Sequence, residues 1–231
     1  MTGVDRGEQR DRLLEAALAH VPFDGWSARS LFAGARDLEI DPGLARRLFP
    51  RGGDDLLAHL EGWADRQMAA AVEPDELRAM RVRDRIRTLV LARLEVLEPH
   101  REAMRRAVAA RLMPANALAA TGAVWRTVDL IWTLAGDRER DASWFTKRAI
   151  LAGVWSATFL YWLDDRSLDG ESTRAFLERR LDDALRIGAL RARFDRLTGV
   201  FDRFNPLRRR RGWQAEADEE PLAERDGPAP F

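Results

Sequence analysis

The chain has 231 residues, no cysteine, 33% charged and 46% hydrophobic side chains, and a formal net charge of zero. Those figures exclude disulfides, thiolate metal sites and a cysteine nucleophile. They give no global pull toward DNA or an anionic surface, and they leave enough apolar residues for a real core.

Leu14, Ala17, Leu18 and Val21 recur at helical spacing and predict a first helix that "FDGW" ends. Ser27 caps a second, through Leu31, Ala35 and Leu38. Asp41 and Pro42 read as N-cap and first-turn proline of a short third helix with Leu44 and Leu48 inward. "FPRGG" stops it, and Asp54 begins a fourth through Leu57, Leu60, Trp63 and Met68. The "RGGDD" turn lacks the Lys-Ser/Thr of a phosphate-binding loop and reads as structural. A fifth helix is predicted in one piece from Asp75 to Leu97, with Val82, Ile86, Leu89, Val90 and Leu94 inward. Pro99 restarts a short sixth, and Pro114 opens a seventh that ends near Gly136. Asp141 or Ser143 caps an eighth, "DRSLDGES" is a turn, and a ninth runs from about Ser172 past Arg193. From Asn205 onward there is no periodicity, which predicts a disordered tail.

Catalytic constellations are missing from this pattern. His20, His59 and His100 stand on separate elements, and no Glu-x-x-His pair encodes a di-iron carboxylate site. No Gly-x-Ser-x-Gly occurs. We assign no catalytic residue, metal or cofactor. The first three helices have the lengths and turns of a helix-turn-helix, and the long helical region behind them resembles the TetR family of regulators. The expected fold is therefore all-α, a TetR-like bundle of about nine helices. Residues 10–72 would form the helix-turn-helix-like region, 73–200 the helical ligand-binding and dimerisation region, and 201–231 a flexible tail. The candidate recognition helix "DPGLARRLF" offers Arg46 and Arg47 but no Ser, Thr, Asn, Gln or Tyr, and Glu39 and Asp41 at its entrance repel a phosphate backbone. A retained scaffold without nucleic-acid binding is the preferred reading, and a TetR-type regulator with a hydrophobic effector the alternative.

The stretch from Ala149 to Leu163 carries no charge. It falls short of the ~20 apolar residues of a membrane span, so it is either a buried helix or one that touches a bilayer. Wound at 100° per residue, it places Leu151, Trp155, Thr158, Phe159 and Trp162 on one face, with Ala149, Gly153, Ser156 and Ala157 opposite. The seventh helix repeats the motif with Trp125, Val128 and Trp132, flanked by Leu130, Ile131 and Leu134. Two such aromatic stripes either fill a core or line a pocket for a long apolar ligand. Asp164 and Asp165 sit where the helix dipole is negative, so they should find arginine partners, Arg166 and those of the next helix being candidates, or cap the element after them.

The ninth helix is amphipathic. Phe176, Leu177, Leu181, Ala184, Leu185, Ile187 and Gly188 share one half of the wheel, Arg180 can snorkel from within it, and the stripe continues to Phe194. Such a helix either packs on the body or lies in a bilayer interface. Arginines 208 to 211 beside Trp213 favour a membrane surface, tempered by the acidic residues beyond them.

Six segments in order resemble the ubiquinone-biosynthesis accessory family called coenzyme Q nine: "HVPFDGWS", "LFPRGGDDLL", "MRVRDRIRTLVLARL", "WRTVDLIWTLAGD", "DASWFTKRAILAGVWSATFLYWLDDRSLD" and "TRAFLERRLDDALRIG". The resemblance implies a non-enzymatic homodimer that binds an isoprenoid quinone intermediate or phospholipid, associates with a membrane surface, and assists the di-iron demethoxyubiquinone hydroxylase. By position it implies a hydroxylase-facing patch of Trp144, Phe145, Lys147 and Arg148 with Ile131 and Leu134. Phe145 replaces the tyrosine of the family's "WYT(R/K)R" motif, so that hydroxyl is lost. It also implies a membrane-contacting ninth helix. Lys147 is the single lysine, arginine and alanine abound, and the charged N-terminus carries no apolar signal segment. The expected location is accordingly a bacterial cytoplasm, peripheral on the inner face of the cytoplasmic membrane.

Overall fold

Two of the caps read from the sequence, Ser27 and Asp41, form as hydrogen bonds in the computed structural model, which describes residues 3–111, 117–137 and 143–186. Ser143 makes no side-chain cap bond to the helix it precedes, and Asp141 lies outside the described residues. The Ser27 hydroxyl accepts from the amides of Arg29 and Ser30, and Ser30 answers by accepting from the Ser27 amide, a reciprocal capping box. The Asp41 carboxylate accepts from the Leu44 amide ahead of Pro42. Among the described residues regular structure is helical throughout: α1 Gly3–Leu18, α2 Val21–Asp24, α3 Ala28–Asp37, α4 Pro42–Leu48, α5 Gly53–Ala70, α6 Pro74–Ala79, α7 Val82–Leu97, α8 Arg101–Arg111, α9 Ala117–Leu134 and α10 Trp144–Asp164. A last helix, α11, is described over 171–186. Among these residues no helix is long and apolar enough to cross a membrane.

Two expectations shift. The first helix ends at Leu18, and Val21 opens the separate short α2 with Pro22 in its first turn. The helix expected over Asp75 to Leu97 is broken at Met80 and Arg81, whose ψ angles of 160° and 152° are extended. Neither proline nor glycine marks that break. Arg85 supports it from the far side, donating to the carbonyls of Arg78, Met80 and Ala135 at 2.8, 2.9 and 2.8 Å, so that one guanidinium satisfies the open ends of α6 and α9. Of the two fates expected for the aspartate pair, Asp165 takes the second. Its carboxylate accepts from the Ser167 and Thr173 amides and the Thr173 hydroxyl and so caps α11, without an arginine partner of its own among the described residues. Partial burial would raise its pKa, yet these hydrogen bonds outweigh that and hold it at about 2. Arginines do reach this helix end, but from α8: Arg105 donates to the Leu163 carbonyl at 2.5 Å and Arg101 to that of Asp165.

The chain divides at Leu185, and residues 1–184 form the first, compact unit. In the first, a continuous hydrophobic cluster runs from Leu13 on α1 to Leu181 on α11. The "RGGDD" turn serves packing. Gly52 adopts φ +58°, and Gly53 lies against the backbone of Trp26 and Ser27 with no room for a Cβ. The expected tail, Ile187, Gly188, Phe194 and the arginines at 208 to 211 lie outside the described residues.

Candidate ligand-binding cavity and partner surface

Helices α5, α7, α8, α9 and α10 surround a cavity of about 310 Å³. Leu57 and Leu60 of α5, Leu97 of α7, Met104 of α8 and Trp155 of α10 are buried walls, and Leu160, 52% exposed, marks where it reaches the surface. The volume is at the lower end of the range of small-molecule sites, about 300–1,000 Å³.

Of the eight side chains expected to line a pocket, Trp155 and Phe159 do so. Leu151, Thr158 and Trp162 are buried in the core beside them, and the Thr158 hydroxyl makes no hydrogen bond among the described residues. Trp162 stacks obliquely on Phe159, donates to Glu98 at 2.7 Å and lies under the Arg101 guanidinium. On α9, Val128 is fully buried, Trp132 donates to the Lys147 carbonyl, and Trp125 packs on Trp144 and Phe145. The face of α9 at the cavity is instead Ala120, Ala123, Val124 and Thr127, about 120° away on the wheel. The reason is steric: bulky side chains fill the space they point into, and small ones leave it empty.

The cavity also has a charged side that the wheel did not announce. Arg93 is buried, pairs with Asp65 at 2.8 Å and lies 4.7 Å over the Trp155 ring. The Thr127 hydroxyl donates to the same carboxylate at 3.0 Å. Glu61 accepts from Arg111 at 2.8 and 3.2 Å and from Arg126 at 3.4 Å. Burial raises the Glu61 pKa even against these arginines and Arg93. The available signal was charge inside an apolar stripe, Glu61 and Asp65 between Leu57, Leu60, Ala64 and Met68 on α5 and Arg93 between Val90 and Leu94 on α7.

The expected partner patch divides by exposure. Phe145 is 63% exposed, and Trp144, Lys147 and Leu134 are half-buried. Ile131 has no exposed surface and Arg148 is 2% exposed, so neither can face a partner in this conformation. Arg148 instead ties α9 to α10. It pairs with Asp129 at 2.5 Å and Asp137 at 3.3 Å while its guanidinium lies 4.1 Å from the Trp144 ring centroid, holding that ring in place. Lys147 pairs with Asp137 at 3.2 Å.

Within the first unit, α11 is docked through residue 184. Leu177 and Leu181 are buried against the body, so neither is free for a bilayer here. Phe176 stacks on Tyr161 at 4.4 Å, with Arg180 lying 5.3 Å from its ring. Arg83 of α7 binds Glu178 and Asp182 at 2.6 and 2.7 Å, and Arg87 also pairs with Glu178. Leu185, in the second unit, is 56% exposed.

The family model of COQ9 matches residues 117–188. The mitochondrial ubiquinone biosynthesis protein COQ9 of Xenopus tropicalis is 34% identical over 80% of this chain and 61% of its own length. The Drosophila melanogaster protein is 32% identical over 84% and 60%, and the human one 32% identical over 77% and 58%. The chain thus spans about three fifths of the length of these relatives. Among solved structures, a TetR transcriptional regulator from Nitrosomonas europaea superposes with a TM-score of 0.65 and 24% identity, covering 77% of this chain and 98% of that one. The fold is accordingly all-α and TetR-like, as expected. The expected bacterial cytoplasmic location is overturned, because these COQ9 relatives are mitochondrial proteins of eukaryotes. That expectation leaned on arginine and alanine content and on the opening residues, and composition of this kind does not report a compartment.

Proposed function

We infer, from the relationship of this chain to the COQ9 proteins, that it serves ubiquinone biosynthesis as a non-enzymatic carrier. It holds part of an isoprenoid quinone intermediate in the cavity between α5 and α7–α10 and presents it, as a homodimer at a membrane surface, to the di-iron demethoxyubiquinone hydroxylase. The observation that carries this reading is the cavity itself: an apolar space bounded by Trp155 and Phe159, in a chain whose relatives are named for the biosynthesis of a long apolar molecule.

At about 310 Å³ the cavity takes a ring or a short stretch of tail, not a whole polyprenyl chain. Removing each methylene-sized unit from water is worth about 0.8 kcal/mol, whereas extraction from a bilayer is nearly neutral because lipid tails are equally apolar. Transfer and presentation therefore suit the cavity better than tight storage. Phe145, Trp144, Lys147 and Leu134 supply an aromatic and basic surface for the hydroxylase, with Arg148 holding Trp144 in position. On the first unit the membrane face falls to Phe176 and the partly exposed Arg180, with Leu177 and Leu181 available only if α11 leaves the body.

Mass spectrometry of lipid extracted from the purified full chain tests the carrier reading. A co-purified isoprenoid quinone precursor supports it, and a chain that neither retains nor takes up any lipid ends it. For the partner surface, Trp144→Ala should weaken hydroxylase binding about tenfold or more, the loss expected of a central aromatic anchor, with the melting temperature nearly kept. Unchanged affinity in a pull-down titration would remove Trp144 from the interface.

A further inference from the structure

We propose that Glu61 makes the cavity selective for amphiphiles with an uncharged head, by occupying Arg111, the cavity-lining arginine that an anionic head would otherwise take. The inference rests on the cavity being a lipid site. Glu61 stands on α5, Arg111 is the last residue of α8, and Arg126 is on α9, so one carboxylate draws three helices together beside the cavity. Arg111 lines the cavity and is 16% exposed, Glu61 17%. The other lining arginine, Arg93, is already bound by Asp65 and laid over Trp155. Every guanidinium that lines this space therefore has an internal carboxylate on it.

A carboxylate or phosphate head can reach Arg111 only by displacing Glu61. The displaced side chain would then be a largely buried charge without its partner, which is costly. Burial raises the Glu61 pKa while Arg111, Arg126 and Arg93 pull it back down, so the carboxylate depends on the arginines for its charge. A hydroxyl or carbonyl head leaves the pair intact and meets only the modest cost of shedding water. The carboxylate thus acts as an internal stand-in for the anion the site would otherwise recruit, disfavouring a carboxylate head inside the cavity relative to neutral prenyl alcohols, phenols or quinones.

Dodecanol and dodecanoate share one tail and differ in head charge, and their affinities for the full chain are measured by calorimetry, below the solubility limit of the alcohol and the micelle concentration of the carboxylate. Glu61→Gln should raise the affinity for dodecanoate relative to dodecanol at least about tenfold, the size of one recovered charge-assisted hydrogen bond. Adding Arg111→Gln should cancel that gain. If the amide variant does not fold, Glu61→Met removes the charge at similar volume and reads the same ratio. An unchanged ratio overturns this inference and leaves the carrier reading standing. Binding of neither probe by the native chain overturns the cavity as a lipid site, and this inference with it.

Discussion

Between α1 and α3 the backbones meet so closely that a Cβ on Gly34 would lie 2.5 Å from the Ala17 nitrogen. Between α5, α8, α9 and α10 about 310 Å³ stays empty. Leu13, Leu14, Ala17, Leu31 and Phe49 of the N-terminal helices are at most 1% exposed, and they are leucine, alanine and phenylalanine without charge among them. The walls of the cavity combine such residues with two ion pairs, Arg93 with Asp65 and Glu61 with Arg111. A solid core holds itself by contact alone. A hollow one loses part of that contact, and here charged cross-links between helices stand where the packing is missing.

The largest test of that contrast is Arg93→Met. It leaves Asp65 buried with only Thr127 as partner, and breaking a buried pair from one side costs about 3–5 kcal/mol. Urea unfolding of the variant should show that loss, and Arg93→Met with Asp65→Leu should recover most of it, since an apolar pair needs no compensation. Should the single variant unfold like the native chain, the ion pairs are not what supports the hollow region.

Gly34→Ala probes the solid side. The methyl group would meet the backbone of Ala16 and Ala17, which cannot turn aside as a side chain can. A loss of about 1–3 kcal/mol is expected, read as a lower urea midpoint. A neutral outcome would mean that α1 and α3 slide apart freely, and the two regions would then differ less than their packing suggests.

The legibility of each region in the sequence divides the same way. Helix starts were readable because they are local: Ser27 and Asp41 bind amides two or three residues on, and they do so wherever the helix is placed. The break at Met80 was not, because its support comes from Arg85 reaching over to the end of α9. The wheel of α10 grouped Trp155 with Phe159, and both line the cavity, but the matching wheel of α9 pointed to its large residues. A cavity is the negative of its side chains, so on α9 it lies over Ala120, Ala123 and Val124 while Trp125 packs on Trp144 and Phe145. Arg148 entered the partner patch through the family resemblance, and it is the tertiary placement of Asp129 and Asp137 that makes it a buried post.

The smallest expected effect on stability is the sharpest on function. Ala123→Leu adds three carbons on the side of α9 that faces the void, where nothing needs to move to receive them. New apolar contact then offsets the lost side-chain freedom, so unfolding should change by less than about 1 kcal/mol, in contrast with the single methyl at Gly34. The same three carbons remove much of the space a ligand would use, so uptake of dodecanol should fall at least about tenfold. Stability kept and uptake lost would establish that the hollow is open for a ligand and not merely badly filled. Stability lost by as much as at Gly34 would mean that α9 and α10 close over the void in solution, and the contrast between the two regions would disappear with it.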